Sequence, residues 1–196
     1  MNAPRLVPAA IHHAPELLMR AQGVRAVIFD VDGVLTDGGL YFGESGELFK
    51  RFHVQDGLGL KQIQREDIMP IVITGRDSKA LRTRLKALGI TQARYGVDDK
   101  LAEAKALLPK LGLTWADVAI MGDDWPDLPL MLRASLAVAP ANAHAQVLAQ
   151  AHFVTQREGG QGAARELCDL LLVARGAYVR QLDELVRAVK AEAGAA

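Results

Sequence analysis

Residues Val24 to Gly38 read VRAVIFDVDGVLTDG, and this stretch decides the fold. The near-continuous apolar run VRAVIF suits a strand buried on both faces, as in a parallel sheet flanked by helices. It runs straight into Asp30 and Asp32, two positions apart at the strand's carboxyl edge. Open α/β sheets bind their ligands at that edge. Two carboxylates there repel each other unless a cation lies between them. Mg²⁺, held by one or two carboxylates plus a substrate phosphate, suits such a pair. Standing alone, the pair is equally compatible with two turn-forming acids capping a loop.

Further short apolar runs follow at 68–74 (IMPIVIT), around 93–95, and at 117–121 (DVAIM), 136–139 (LAVA) and 152–155 (HFVT). Between them, Ser78 to Leu88 has helical spacing and stops at Gly89, and Lys100 to Leu111 is a second helix stopped by Gly112. Leu128 to Ala134 and Ala143 to Gln150 are shorter helical stretches. Strands alternating with helices predict an α/β fold, a three-layer sandwich around a mostly parallel sheet. One segment breaks the rhythm. Gly39 to Phe52, GLYFGESGELFKRF, alternates apolar positions around Gly43-Glu44-Ser45-Gly46 and predicts a β-hairpin projecting after the first strand.

From Ala163 to Ala191 a long helical pattern is weakened at Gly176. The chain accordingly divides into an N-terminal extension (1–23), a main domain (24–176) with the hairpin at about 39–52, and a C-terminal helix and tail (177–196). Its 196 residues leave no room for two independent domains.

Lys plus Arg and Asp plus Glu each number 23, so the formal net charge is zero. Such a chain has no global attraction for nucleic acid or an anionic membrane, and an anionic substrate needs a local cluster of cations. The single cysteine, Cys168, excludes a disulfide framework or a cysteine-rich zinc site and fits a reducing cytoplasm. It lies on the apolar side of a helix and reads as a buried small hydrophobe. The start is broken by prolines and is no secretory signal, and no stretch approaches the roughly 18 apolar residues of a membrane span. The expectation is a soluble cytoplasmic domain.

Three more polar signals end predicted strands. In ITGR, Thr74 offers a hydroxyl, Arg76 a planar fork for phosphate or carboxylate, and the Gly75 and Arg76 amides can face an anion; otherwise Thr74 is an ordinary helix cap. Lys100 opens a helix, against the macrodipole, which a bound phosphate would offset; otherwise it is a surface lysine. GDDWPDLP brings Asp123, Asp124 and Asp127 together, as a cation site or a solvated acidic turn.

Taken together, an acid pair, a threonine, a lysine and an acid cluster at successive strand ends resemble the haloacid dehalogenase superfamily of phosphotransferases, across roughly Val24 to Thr155. The resemblance implies that Asp30 is the nucleophile, carried through an aspartyl-phosphate, and that Asp32 is the general acid and then the base. It implies Mg²⁺ held by Asp30, the Asp32 backbone carbonyl and Asp123, with Thr74 and Lys100 stabilising the transferring phosphoryl group. Asp124 and Asp127 would orient the loop and metal waters, or be structural. Superfamily members usually carry a cap domain, but neither gap between motifs has room for one here. The fold is therefore expected to be haloacid dehalogenase-like and capless, open to a large substrate or closed by a neighbouring subunit.

FHVQDGLGLK, ITGR, GDDWPDLP and REGGQGAARELCDLLL further resemble the 3-deoxy-D-manno-octulosonate 8-phosphate phosphatase family, from Val24 to about Gly176. That family implies an Mg²⁺-dependent homotetramer whose hairpins associate and whose neighbouring chains enclose each site, acting on a sugar-acid phosphate in lipopolysaccharide biosynthesis. The implied substrate contacts are Asp32, His53, Val54, Gln55, Asp56, Gly57, Lys61, Arg76, Arg84 and Lys100. Lys61 stands where the family leads one to expect arginine and lacks its bidentate fork; His53 stands where many relatives have asparagine. Trp125 walls the acidic loop. Arg157 to Gly162 reads either as a flexible joint or as a tail reaching a neighbouring site. The alternatives are a phosphatase for a nine-carbon sugar-acid phosphate, or a non-catalytic companion domain of a sugar-acid cytidylyltransferase. A protein phosphatase and a phosphomutase fit the hairpin and the missing cap less well.

Overall fold

The computed structural model describes residues 11–44 and 46–194. Residues 1–10 of the expected extension, Ser45 of the hairpin turn and residues 195–196 of the tail lie outside the described residues. In chain order the elements are α1 (Pro15–Gln22), β1 (Ala26–Phe29), β2 (Tyr41–Gly43), β3 (Gly46–Phe49), α2 (Val54–Gln64), β4 (Met69–Ile73), α3 (Lys79–Leu88) and β5 (Gln92–Arg94). They continue with α4 (Lys100–Leu107), β6 (Val118–Met121), α5 (Leu128–Met131), β7 (Leu136–Ala139), α6 (Ala145–Leu148), β8 (Phe153–Val154), α7 (Ala163–Ala174) and α8 (Ala177–Gly194).

Six strands form one sheet in the order β5-β4-β1-β6-β7-β8, every pair parallel. The chain leaves β1 for β4 and β5, then crosses back to β6 on the other side. That reversal opens a crevice at the carboxyl ends of β1 and β6, where α/β sheets bind ligands. Ile28 lies opposite Ile71 of β4 and Ile120 of β6. Alternation along β1 builds the layers. Val27 and Phe29 pack with residues of α1, α2, α3 and α7, while Ala26 and Ile28 pack with residues of α4, α5 and α6. The expected three-layer α/β sandwich is therefore present, and no cap domain interrupts it among the described residues.

Local chemistry accounts for the departures from expectation. The second helix ends at Leu107 rather than Leu111, because Pro109 cannot continue the ladder; one 3₁₀ turn (Pro109–Leu111) follows. The long C-terminal pattern is two helices, α7 and α8, separated at Gly176. The helix in the first gap, α2, spans 11 residues. Gly57 and Gly59 weaken its sequence signal, but they admit the Arg84 and Cys168 side chains against its backbone. Cys168 is fully buried there, as expected, and burial pushes its thiol pKa well up. Among the described residues, no helix is long and apolar enough to cross a membrane.

A buried carboxylate fastens α2 to α7: Asp56 Oδ1 accepts the Arg165 amide at 2.8 Å. Burial raises the Asp56 pKa, and the amide bonds only partly offset it. Asp56→Ala removes the acceptor from a buried donor and should cost about 1–3 kcal/mol in urea unfolding. Asp56→Asn keeps an acceptor and should cost less; equal losses would show that the bond is not what holds the helices together.

Candidate active site

The crevice is built from strand ends. β1 delivers Asp30, whose amide donates to the Met121 carbonyl of β6 at 3.0 Å. The chain then turns sharply, with the Val34, Leu35 and Thr36 amides all donating to the Val31 carbonyl. β6 delivers the GDDWPDLP loop. There Asp127 Oδ2 accepts the amides of Asp123 (3.1 Å) and Asp124 (3.4 Å), and Asp124 caps the following turn. β4 ends at Thr74, which is buried. α4 begins with Lys100, also buried, its first turn capped instead by Asp99.

Lys100 is no surface lysine. Its Nζ donates to Asp30 Oδ1 at 2.5 Å and to Asp127 Oδ1 at 2.7 Å. Carboxylate oxygens of Asp30, Asp123 and Asp127 lie within 4.8 Å of one another, the geometry of a cation site. One ammonium cannot neutralise three acids. Burial first, and then the Asp127 charge, push the Asp30 pKa up to about 7 against the pull of Lys100. Burial and the charges of Asp30 and Asp127 push Asp123 to about 7 as well. Burial opposes the charge on Lys100, but Asp30 and Asp127 outweigh it and raise its pKa. Burial and mutual repulsion raise the acids, and the same acids raise the lysine, which leaves the site short of positive charge. A hard divalent cation bound by oxygen fits that deficit.

Thr74 does not cap the next helix, because Ser78 does. Its Oγ1 instead accepts the Arg76 amide at 3.3 Å, so that amide is already engaged, and the helix begins at Lys79 behind its Ser78 cap, as the spacing from Ser78 to Leu88 predicted. Asp32 stands at the crevice mouth, with Arg76 Nε 4.0 Å from its Oδ2. A second group gathers on α2 and α3: Arg84 donates to the His53 carbonyl at 3.3 Å and lies against Gly57 and Phe52. Val54, Gln55 and Lys61 are exposed on the outer side of α2, while Asp56 turns inward to α7. Within one chain, therefore, Asp30, Asp32, Thr74, Arg76, Lys100 and Asp123 share the crevice, and the α2–α3 residues form its flank.

Several contributors were not legible in the sequence. From the hairpin, Lys50 is ion-paired with Asp32, and Glu47 accepts Arg76 Nη2 at 3.1 Å. Trp125 donates to His144 Nδ1 at 3.0 Å, and the His144 amide donates to the Asp123 carbonyl at 2.8 Å, so this pair steadies the acidic loop. Arg157 to Gly162 is not a loose joint. The Gly160 amide donates to Val34 O at 3.0 Å, the Gly159 amide to Asn142 Oδ1 at 3.0 Å, and Arg51 reaches both Asp37 and Gln161. A Cβ at Gly159 or Gly160 would strike the backbone of residues 33–37, so only glycines permit this approach to the Asp30–Asp32 loop.

Residues 94–167 match the family of haloacid dehalogenase-like hydrolases. The 3-deoxy-D-manno-octulosonate 8-phosphate phosphatase of Yersinia pestis is 44% identical over 162 residues, 83% of this chain and 87% of that protein. The crystal structure of that phosphatase superposes with a TM-score of 0.83 at 43% identity, covering 85% of this chain and 90% of the other. The enzyme of that name from Moraxella catarrhalis, solved with a magnesium ion, a phosphate ion and a KDO molecule, superposes with a TM-score of 0.85 at 36% identity, covering 88% and 99%.

The raised carboxyl groups set a pH signature for the metal-free protein. Their folded pKa values of about 7 lie above the unfolded value, so their contribution is present at low pH and is lost as pH rises through about 7. Melting in EDTA should therefore show stability declining from about pH 4 to about pH 7 and levelling off above, with added Mg²⁺ restoring most at the alkaline end. An Mg²⁺ gain independent of pH would remove these acids from the cation site.

Proposed function

The chain belongs to the 3-deoxy-D-manno-octulosonate 8-phosphate phosphatases, among the haloacid dehalogenase-like hydrolases, and we propose that its crevice splits that ester by way of an aspartyl-phosphate on Asp30. The enzyme is an Mg²⁺-dependent phosphoric monoester hydrolase of lipopolysaccharide biosynthesis, releasing the eight-carbon keto acid and phosphate. The observation that carries the site assignment is the buried Lys100 shared by Asp30 and Asp127 beside Asp123. This is machinery a binding module would not need.

Asp30 attacks phosphorus in line with the leaving alcohol. Asp32 gives that alcohol its proton, then takes one from the water that releases phosphate. Lys100 and Thr74 donate to phosphoryl oxygens as charge moves onto them. Asp127 holds Lys100 and the Asp123 amide in place. Asp30, Asp123 and the Asp32 carbonyl would hold Mg²⁺, which would supply positive charge against the phosphoryl oxygens. Arg76 meets the substrate's anionic groups, and His53, Val54, Gln55, Lys61 and Arg84 complete the substrate set, the exposed ones against a neighbouring copy; Asp56 and Gly57, buried against Arg165 and Arg84, serve that set by holding α2 in place. The reaction takes place in the cytoplasm, where the lone thiol of Cys168 suits the redox state.

We further infer a homotetramer built on the hairpin. A two-stranded hairpin is marginal alone, and this one leaves Leu40, Phe42, Leu48 and Phe49 about half exposed or more. Such an apolar patch fits burial against other copies, which would also close a crevice that has no cap. Leu48→Glu should shift sedimentation from tetramer toward smaller species; an unchanged tetramer would move the interface elsewhere.

Asp30→Asn should abolish phosphate release from 3-deoxy-D-manno-octulosonate 8-phosphate while leaving folding intact. Substantial residual turnover would refute the nucleophile. Wild-type enzyme assayed with Mg²⁺ or EDTA on eight- and nine-carbon keto-acid phosphates, a hexose phosphate and a phosphopeptide should turn over the eight-carbon ester alone, and only with metal. Preference for the nine-carbon ester would reassign the substrate.

A further inference from the structure

The hairpin reaches back into its own crevice. Directly after β3, Lys50 carries a side chain only 1% exposed, and a buried ammonium must be matched by acceptors. It has two: Asp32 Oδ1, in direct contact, and Glu47 Oε2 at 3.3 Å. Glu47 Oε2 also accepts Arg76 Nη2 at 3.1 Å, and the Phe42 ring lies 5.9 Å from the same guanidinium. The remaining polar atoms are informative. Asp32 Oδ2, Glu47 Oε1 and Arg76 Nε are all buried without a hydrogen-bond partner. Buried polar atoms are normally satisfied, and here three open valences sit beside the reacting centre. Asp32 is gripped at Oδ1 and Glu47 at Oε2, while the second oxygen of each makes no hydrogen bond, Asp32 Oδ2 facing Arg76 Nε at 4.0 Å.

We propose that Lys50 is a positioning residue for Asp32: it holds Oδ1, fixes the rotation of the carboxyl group, and leaves Oδ2 to serve the ester oxygen of the leaving alcohol. This rests on Asp32 being the proton donor. As the bond from Asp30 to phosphorus forms, the bond from phosphorus to the ester oxygen breaks. The ester oxygen keeps the electron pair and takes the proton from Asp32 Oδ2. In the second half, water oxygen bonds phosphorus, the Asp30–phosphorus bond breaks, and the water proton returns to Asp32 Oδ2. Oδ1 accepts from the Lys50 ammonium in both forms, so the clamp survives the whole cycle. Glu47 keeps Lys50 and Arg76 apart and aimed, which makes the hairpin part of the reaction site of its own chain as well as an assembly element.

The test uses leaving groups. An alkyl phosphate needs its departing oxygen protonated; p-nitrophenyl phosphate, with an acidic phenol, does not. In Lys50→Met, single-turnover release of the eight-carbon acid should fall about 100-fold, the lower range for a lost general acid, with KM little changed, while the initial burst of p-nitrophenol, which precedes the water step, stays nearly intact. Lys50→Gln, which keeps a donor, should recover part of the loss and carries the test should the methionine variant fail to fold. In the same first-half measurement Asp32→Ala provides the reference for the alkyl-selective loss, since its steady-state turnover also lacks the base of the water step. Equal losses of both first-half rates in the Lys50 variants, or a change in KM alone, overturn the proposal. An Asp32→Ala variant whose first-half rates fall equally on both esters overturns the donor role and the proposal with it. Failure of the functional assignment shows differently, as wild-type enzyme silent on the eight-carbon ester.

Discussion

One buried ammonium, two buried carboxylates and a third that is half-buried organise this molecule. Lys100 enters from the start of α4, Asp30 from the end of β1, and Asp123 and Asp127 from the loop after β6. Alone, the acids repel each other and lean toward protonation; Lys100 removes part of that repulsion and leaves a deficit suited to a divalent cation. The sheet order makes the meeting possible. Because β1 is flanked by β4 and β6, and the connections run to opposite sides, the loops after β1 and β6 part to leave a crevice there.

Around that centre the chain spends its unusual residues on close approach. Gly159 and Gly160 bring the segment before α7 onto the backbone of residues 33–37, and Arg51 ties the same loop to Asp37 and Gln161. The acidic loop is braced from the other side by the Trp125–His144 pair. Asp56 fixes the start of α7 from α2. Preorganisation of this kind matters in phosphoryl transfer, where catalysis is chiefly positioning and electrostatics.

The hairpin carries two demands at once. Its outer face presents Leu48 and Phe49 to solvent in the single chain, while Glu47 and Lys50 turn inward to Asp32 and Arg76. Glu47 lies within β3 and Lys50 just past its end, so the element serves both by leaving strand geometry after Phe49 rather than by simple alternation. A capless α/β hydrolase thus keeps charged groups over the mouth of its crevice without an inserted domain.

Much of this was legible in the chain. The runs at 24–29, 68–74, 117–121 and 136–139 suit strands buried on both faces, since apolar residues at successive positions need cover on each side. Asp30, Asp32, Thr74, Lys100 and Asp123 stood at strand ends, so a parallel sheet had to gather them on one edge. What the sequence left open was pairing across distance. Lys50 and Glu47 looked like ordinary charges on an exposed hairpin, and nothing local shows that a side chain will be 1% exposed against Asp32. The glycines at 159 and 160 read as slack because glycine is permissive in both roles, a hinge or a close contact. Asp127 looked like a turn former until Lys100 arrived from 27 positions away. Periodicity and strand-end chemistry are local, and so they determined the fold and the reacting groups. Counter-charges and close backbone contacts arise between segments far apart in the chain, and so only the tertiary structure decided them.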